Sequence, residues 1–136
     1  MDDISSAMQV SASGLKAQSG RLRVIAENLA NANSTSDIPG GDPYQRQVPV
    51  FSAILDRAIG TQMVELSEVT YDTAPFTLDY DPGNPAADGE GYVKLPNVNP
   101  LIEMMDLREA QRSYEANLGA MELMRSMANA TLQILE

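Results

Sequence analysis

The chain contains no cysteine, no histidine and no tryptophan among its 136 residues. Without cysteine there is no disulfide framework and no thiolate site. Without histidine, the commonest metal ligand and the commonest acid–base group near neutral pH are both missing. Aromatic residues make up only 5 % of the chain, with two Phe, against 43 % hydrophobic residues overall. That balance favours thin helical packing of Leu, Ile, Met and Ala over a thick globular core. Basic residues are scarce as well, 9 against 19 acids, for a formal net charge of −10. Such a chain gains nothing from a phosphate backbone or an anionic lipid surface, which excludes nucleic acid and direct membrane binding as expected partners. No run of 18 apolar residues is present, so no membrane insertion is expected. MDDISSAMQV at the start lacks a basic segment and an unbroken apolar segment, so no cleavable signal peptide is expected.

Proline is missing from both ends. All eight Pro fall between Pro39 and Pro100. Charge follows the same division, with nets of 0, −7 and −3 over residues 1–33, 34–98 and 99–136. Three regions are therefore expected: an N-terminal coiled-coil helix (1–33), a β-rich middle (34–98) and a C-terminal coiled-coil helix (99–136), with the two termini forming one helical domain. The fold class is mainly α, with the long terminal helices forming an antiparallel coiled coil and the middle inserted between them.

The spacing predicts a first helix from Ile4 to Ala32. Met8, Leu15, Leu22 and Leu29 recur every seven residues, and Ile4, Ser11, Gln18, Ile25 and Ala32 form a companion row. Ser11 and Gln18 make that seam imperfect, and Gly14 and Gly20 each cost about 1 kcal/mol relative to Ala. Alone in water such a helix is marginal, so it requires a partner. A second helix is predicted from Pro100 to Leu135, with Asn99 as its cap and Pro100 in the first turn. Leu107, Tyr114, Met121, Ala128 and Leu135 form one row. Met104, Leu118 and Leu132 form the adjoining row, broken by Gln111 and Arg125. At 1.5 Å per residue this helix is about 54 Å long, too long for the core of a compact domain of this size. Met104, Met105, Met121, Met124 and Met127 crowd this helix, where a seam lined by Met adapts to unlike neighbours.

In the middle region, Asn33–Pro43 reads as a loop and Tyr44–Phe51 as an edge strand demoted by Pro49. Ser52–Ile59 reads as a short helix, and Met63–Tyr71 as a strand with a bulge at Ser67–Glu68. Phe76, Leu78 and Tyr80 alternate as a half-buried strand, Asp81–Asn84 as a type II turn and Gly91–Leu95 as a short strand.

Chemistry is thin. Asp79, Asp81, Asn84, Asp88 and Glu90 could offer oxygens to a hard cation, but Gly83 and Asn84 stand in the wrong order for an EF-hand loop. Turn formation and solvated strand faces account for them equally well. No phosphate loop, nucleophile elbow or dinucleotide fingerprint is present. The expectation is a non-enzyme with no catalytic residue, no cofactor and no metal site. Three readings remain open on residues alone: a filament subunit, a helical hairpin binding one partner, and a calcium-dependent or enzymatic domain.

The run SASGLKAQSGRLRVIAENLANANS (Ser11–Ser34), with Asn28-Leu29-Ala30-Asn31-Ala32-Asn33 inside it, resembles the signature of the flagellar axial proteins, the rod, hook and hook-associated family. Ser113-Tyr114-Glu115-Ala116-Asn117 resembles the matching C-terminal motif. YDPGNPAADGEGYVKLPNVN (Tyr80–Asn99), continued by PLIEMMD, together with GGDPYQRQVPVF (Gly40–Phe51), is similar to the proximal-rod branch of that family. The resemblance implies a structural rod subunit of the flagellar basal body, spanning the periplasm and exported by the flagellar type III apparatus. Its implied partners are itself, other rod proteins, the rod–ring adaptor and that apparatus. The assembly surface expected from the heptads and the motifs together is Met8, Leu15, Leu22, Ile25, Asn28, Leu29, Asn31 and Asn33 on the first helix. On the second it is Leu107, Tyr114, Asn117, Leu118, Met121, Met124 and Leu132.

Overall fold

The computed structural model describes residues 2–135; Met1 and Glu136, the outermost residues of the first and last expected regions, lie outside the described residues. Six elements follow in order: α1 (Asp2–Ala30), β1 (Gln47–Asp56), β2 (Thr61–Tyr71), β3 (Thr77–Tyr80), β4 (Tyr92–Leu95) and α2 (Pro100–Leu135). Along the chain a long helix thus precedes and a long helix follows a β region of two two-stranded sheets, β1–β2 and β3–β4.

Local chemistry explains the helix ends. Asp2 and Asp3 sit in the first turn of α1, where the helix dipole favours negative charge. At the other end Asn31 donates its side-chain amide to the Glu27 carbonyl (2.8 Å), and no Asn here adopts the left-handed conformation. Asn99 caps α2 as expected: its Oδ1 accepts from the Leu101 N–H at 3.1 Å, one residue beyond Pro100.

The expected helix over Ser52–Ile59 is corrected: residues through Asp56 continue β1. Pairing with β2 supplies the backbone bonds that a short isolated helix would lack. A turn then ends the strand, with Asp56 Oδ1 accepting from Ala58 N–H (2.8 Å) and Gly60 at φ +66°. Pro49 is tolerated because both strands of a two-stranded sheet are edges. Along β2 the half-buried positions are Thr61, Met63, Leu66, Val69 and Thr70, so strict alternation fails on both sides of Leu66.

The Asp81–Asn84 turn forms, with Asn84 N–H donating to Asp81 C=O at 3.1 Å. It is not type II: Gly83 lacks the positive φ that type requires, and Pro82 is equally at home in a type I turn. The strand at Leu78 and Tyr80 forms but is not half-buried, since both side chains are largely exposed. They lie on the same face as Lys94 and Tyr92 across the antiparallel β3–β4 pair, and the other face carries the buried Val93.

The chain divides into two compact units, and both long helices contribute to each. The first comprises Met1–Leu22, Pro49–Glu68 and Arg108–Glu136; the second comprises Arg23–Val48 and Val69–Leu107. Within the first unit, Gly14 lies against Asn117, where an added Cβ would stand 3.1 Å from the amide nitrogen. Gly20 lies against Leu66, with a Cβ-to-Cδ2 distance of 2.8 Å. These two glycines are therefore places of close approach as well as weak points in a helix. Ser13 joins α1 to the hairpin edge: its Oγ donates to Val10 C=O (2.7 Å) and accepts from Val64 N–H (3.3 Å). Arg21 pairs with Glu109 at 3.5 Å, a solvent-exposed contact of small energetic weight.

Candidate functional site

The densest side-chain network lies in the second unit and gathers residues far apart in sequence. Asn28 is 1 % exposed and uses its whole amide. Its Nδ2 donates to Gln47 C=O (2.9 Å) and to Glu103 Oε2 (3.4 Å). Its Oδ1 accepts from Gln47 N–H (2.9 Å) and from the Tyr44 hydroxyl (2.7 Å). Glu103, also 1 % exposed, is the only other buried polar side chain among the described residues. Its second oxygen, Oε1, accepts from Arg46 Nε. Arg46 then reaches Asp72 at 3.3 Å and Asp106 at 3.9 Å.

Backbone segments are tied into the same clasp. Arg46 N–H donates to Asn97 Oδ1 (2.8 Å), and Arg46 C=O accepts from Asp72 N–H (2.8 Å). Asn97 donates to the carbonyls of Asp72 and Ala74, both at 3.0 Å, and Gln45 Nε2 donates to Asp72 C=O at 2.8 Å. The end of α1, the approach to β1, the exit from β2 and the start of α2 are therefore held at one point. A buried carboxylate is tolerated only when paired and hydrogen-bonded, and Glu103 has both an amide and a guanidinium.

Electrostatics reflect that closure. Burial pulls the Arg46 guanidinium pKa down, but its bond to Glu103, then Asp72, more than compensates, and the net shift is upward. Burial, then the charges of Glu27 and Glu103, pushes the Tyr44 phenol above its ordinary value. Elsewhere in this unit, backbone N–H groups of Tyr92 and Glu90 hold the Asp88 carboxyl below the usual carboxylate range. In Asp88 and Asn84, read above as possible cation ligands, Oδ1 accepts from backbone amides of the residue's own turn.

The expected surface residues are distributed unevenly. Ile25 and Asn28 are buried, while Met8, Leu15, Leu22, Leu29 and Asn31 are half-buried and Asn33 is exposed. On α2, Leu107, Tyr114, Asn117, Met121 and Met124 are half-buried, and Leu118 and Leu132 are exposed. The adjoining row read as Met104, Leu118 and Leu132 therefore points outward. The more buried row is Glu103, Ala110, Asn117 and Met124, and together with Leu107, Tyr114, Met121 and Ala128 it repeats at heptad spacing. On α1 the deepest row is Val10, Ala17 and Val24, with Ala17 and Val24 3 % and 1 % exposed. Sequence reasoning placed the companion row one position further along, on Ile4, Ser11, Gln18, Ile25 and Ala32, of which Ile25 and Ala32 are also buried. It missed Tyr44, Arg46, Asp72, Asn97, Glu103 and Asp106. The available signal was a charged residue, Glu103, seven positions before Ala110 on one row.

Two family models match the chain at its ends. One, described as flagella basal body rod protein, matches residues 8–36; the other, described as flagellar basal body rod FlgEFG protein C-terminal, matches residues 90–134. Long helices at both ends, each carrying a rod-family signature, define a structural protein of the bacterial flagellar rod class. Among curated proteins, the flagellar basal-body rod protein FlgC of Agrobacterium fabrum is 48 % identical over 136 residues, covering 100 % of this chain and 98 % of the relative. FlgC of Aquifex aeolicus is 42 % identical, covering 98 % of each chain, and FlgC of Escherichia coli O6:H1 is 42 % identical, covering 92 % of each. The chain belongs to the FlgC family of flagellar basal-body rod proteins. Its role is accordingly structural, in the flagellar basal body, and it is not an enzyme.

Proposed function

We propose that the chain builds the proximal rod by polymerising through its two long helices, which pair as an antiparallel coiled coil. The observation that carries this reading is the order of contacts in the first unit. Gly14 meets Asn117 and Arg21 meets Glu109, so positions rise on α1 as they fall on α2. The pair forms one helical domain from residues 1–33 and 99–136, with residues 34–98 as the insertion. Its outward side chains, among them Leu118 and Leu132 on α2, are covered by neighbouring subunits. Those neighbours are further copies, other rod proteins and the rod–ring adaptor. The polymer forms part of a drive shaft across the periplasm, and the flagellar type III apparatus delivers its subunits.

Asn31 and Asn117 set contacts and register in this assembly. The test replaces the chain in a motile strain by Asn117→Ala, Leu118→Asp or Leu132→Asp variants. Export is scored from secreted subunit and assembly from isolated basal bodies. The expected result is normal export with lost or shortened rods. Full motility in all three variants overturns the reading.

A further inference from the structure

We infer that β1 carries an open edge at Phe51–Leu55 that pairs antiparallel with the same edge of a second copy of this chain. The pairing is centred on Ala53, and it joins two β1–β2 hairpins into one continuous sheet.

Successive residues of a strand turn their backbone N–H and C=O to opposite sides, and hydrogen bonds fix which side each residue of β1 uses. The Arg46 carbonyl accepts from Asp72 N–H, and the Val48 and Val50 carbonyls accept from the Thr70 and Ser67 hydroxyls. Even-numbered residues therefore face β2, and odd-numbered residues face away from it. On that outer side Gln47 is already met, because the Asn28 amide takes both its N–H and its C=O. Pro49 has no N–H to offer. Beyond it, Phe51, Ala53 and Leu55 turn their N–H and C=O outward, and among the described residues β1 has no strand neighbour but β2. All three residues are exposed. The outer edge of β2 differs, since its Val64 N–H donates to Ser13 Oγ on α1.

An edge of this kind accepts another strand, and sheets guard against that with charge or proline. Here Pro49 and the Asn28 amide close only the first part, and no charged residue stands between Gln47 and Leu55. The segment also complements itself, which is what selects a second copy as the occupant. In an antiparallel pair centred on Ala53, Ala53 meets the second copy's Ala53 and Phe51 meets its Leu55. Each such pair exchanges both backbone bonds. Phe51 and Leu55, 38 % and 56 % exposed, then cover one another as apolar cross-strand neighbours. The contact is two-fold, so it closes at two copies and does not propagate. It is a resting pair of free chains, distinct from the open polymer proposed above, and it holds whether or not the helices build that polymer.

Sedimentation velocity on the full chain, from low to high micromolar concentration, tests it, and a reversible monomer–dimer equilibrium is expected. Ala53→Lys sets two like charges opposite one another at the two-fold axis. Ala53→Pro removes the central N–H, as Pro49 does earlier in the same strand. Each is expected to weaken dimerisation at least about tenfold, with the far-ultraviolet circular dichroism unchanged. Ala53→Val keeps the N–H and is expected to keep the dimer, as is Leu118→Asp, which lies on α2. Because the chain has no cysteine of its own, a nitroxide on Ala53→Cys reads the geometry directly. Dipolar broadening is expected in the dimer and is expected to vanish on mixing with excess unlabelled chain. A chain that stays monomeric throughout overturns the inference. So does a dimer that both Ala53→Lys and Ala53→Pro leave intact, or one without broadening at position 53. Full motility of the Leu118→Asp and Leu132→Asp strains counts against the polymerisation reading alone, and a dimer that still broadens at position 53 supports this inference in that case too.

Discussion

The two compact units are made from the same two helices yet are held by opposite means. One is locked by a few polar groups deep in its interior: Asn28, Arg46 and Glu103, with Tyr44, Asp72 and Asn97 around them. The other relies on shape, with Gly14 under Asn117 and Gly20 under Leu66 and hardly any interior. Polar closure is specific and self-contained, because the buried Asn28 amide and Glu103 carboxylate are fully met within the unit. Apolar stripes at heptad spacing are permissive, because any helix of the right pattern satisfies them. The contrast places uniqueness in one unit and adaptability in the other.

The sharpest way to break this contrast is Arg46→Met. Glu103 then keeps a buried carboxylate without its guanidinium, and the loss is about 3–5 kcal/mol. Thermal unfolding is expected to show it, and the double change Arg46→Met with Glu103→Met is expected to recover much of the loss, since neither charge remains.

A smaller effect, in the other unit, separates glycine as a helix weakness from glycine as a contact. A Cβ at Gly119 meets no atom within 4 Å, so Gly119→Ala is expected to gain about 1 kcal/mol of helix stability. At Gly14 the same change pushes on the Asn117 amide 3.1 Å away, so the gain there is smaller or reversed. Melting followed by far-ultraviolet circular dichroism on assembled material distinguishes the two.

The smallest effects are those of pH, and both lie in the clasped unit. The Tyr44 phenol sits above its free value of about 10, so its contribution is intact below that pH and is lost as pH rises through the shifted value. Alkaline unfolding of the wild type is expected to show this step, and Tyr44→Phe to lack it. The Asp88 carboxyl sits below its free value of about 3.9, so its contribution is present above that pH and is lost as acid titrates the shifted group. The amide resonances of Glu90 and Tyr92, whose N–H groups it accepts, are expected to move together on acidification.

Much of this molecule was legible in its sequence, and the limits are instructive. Pro100, its Asn99 cap and the proline-free ends fixed where α2 begins and how far each helix extends. Leu107, Tyr114 and Met121, expected on one row of α2, are all half-buried. The adjoining row of Met104, Leu118 and Leu132 is exposed, while Glu103 and Ala110, which look like poor core residues beside them, are buried. A helix that packs closely on another wants small or specifically paired residues inside, and it can leave large ones outside for other partners. Ser52–Ile59 was misread because Ile54, Leu55, Ala58 and Ile59 fit a helical face, and nothing local reveals that β2 offers a strand to pair with. Arg46 was invisible because its partners Asp72, Asn97 and Glu103 lie 26, 51 and 57 residues away. Such a constellation is a product of topology, and no short motif announces it.

That separation along the chain has a temporal consequence. A polypeptide is made from its amino end, so Asn28 and Arg46 emerge long before the carboxylate that completes their arrangement. Until Glu103 has left the ribosome, Arg46 has Asp72 and Asn97 but not its buried carboxylate, and the interior described above cannot close. Glu103 is thus the last buried member of the arrangement to be made, and closure of this interior waits on it.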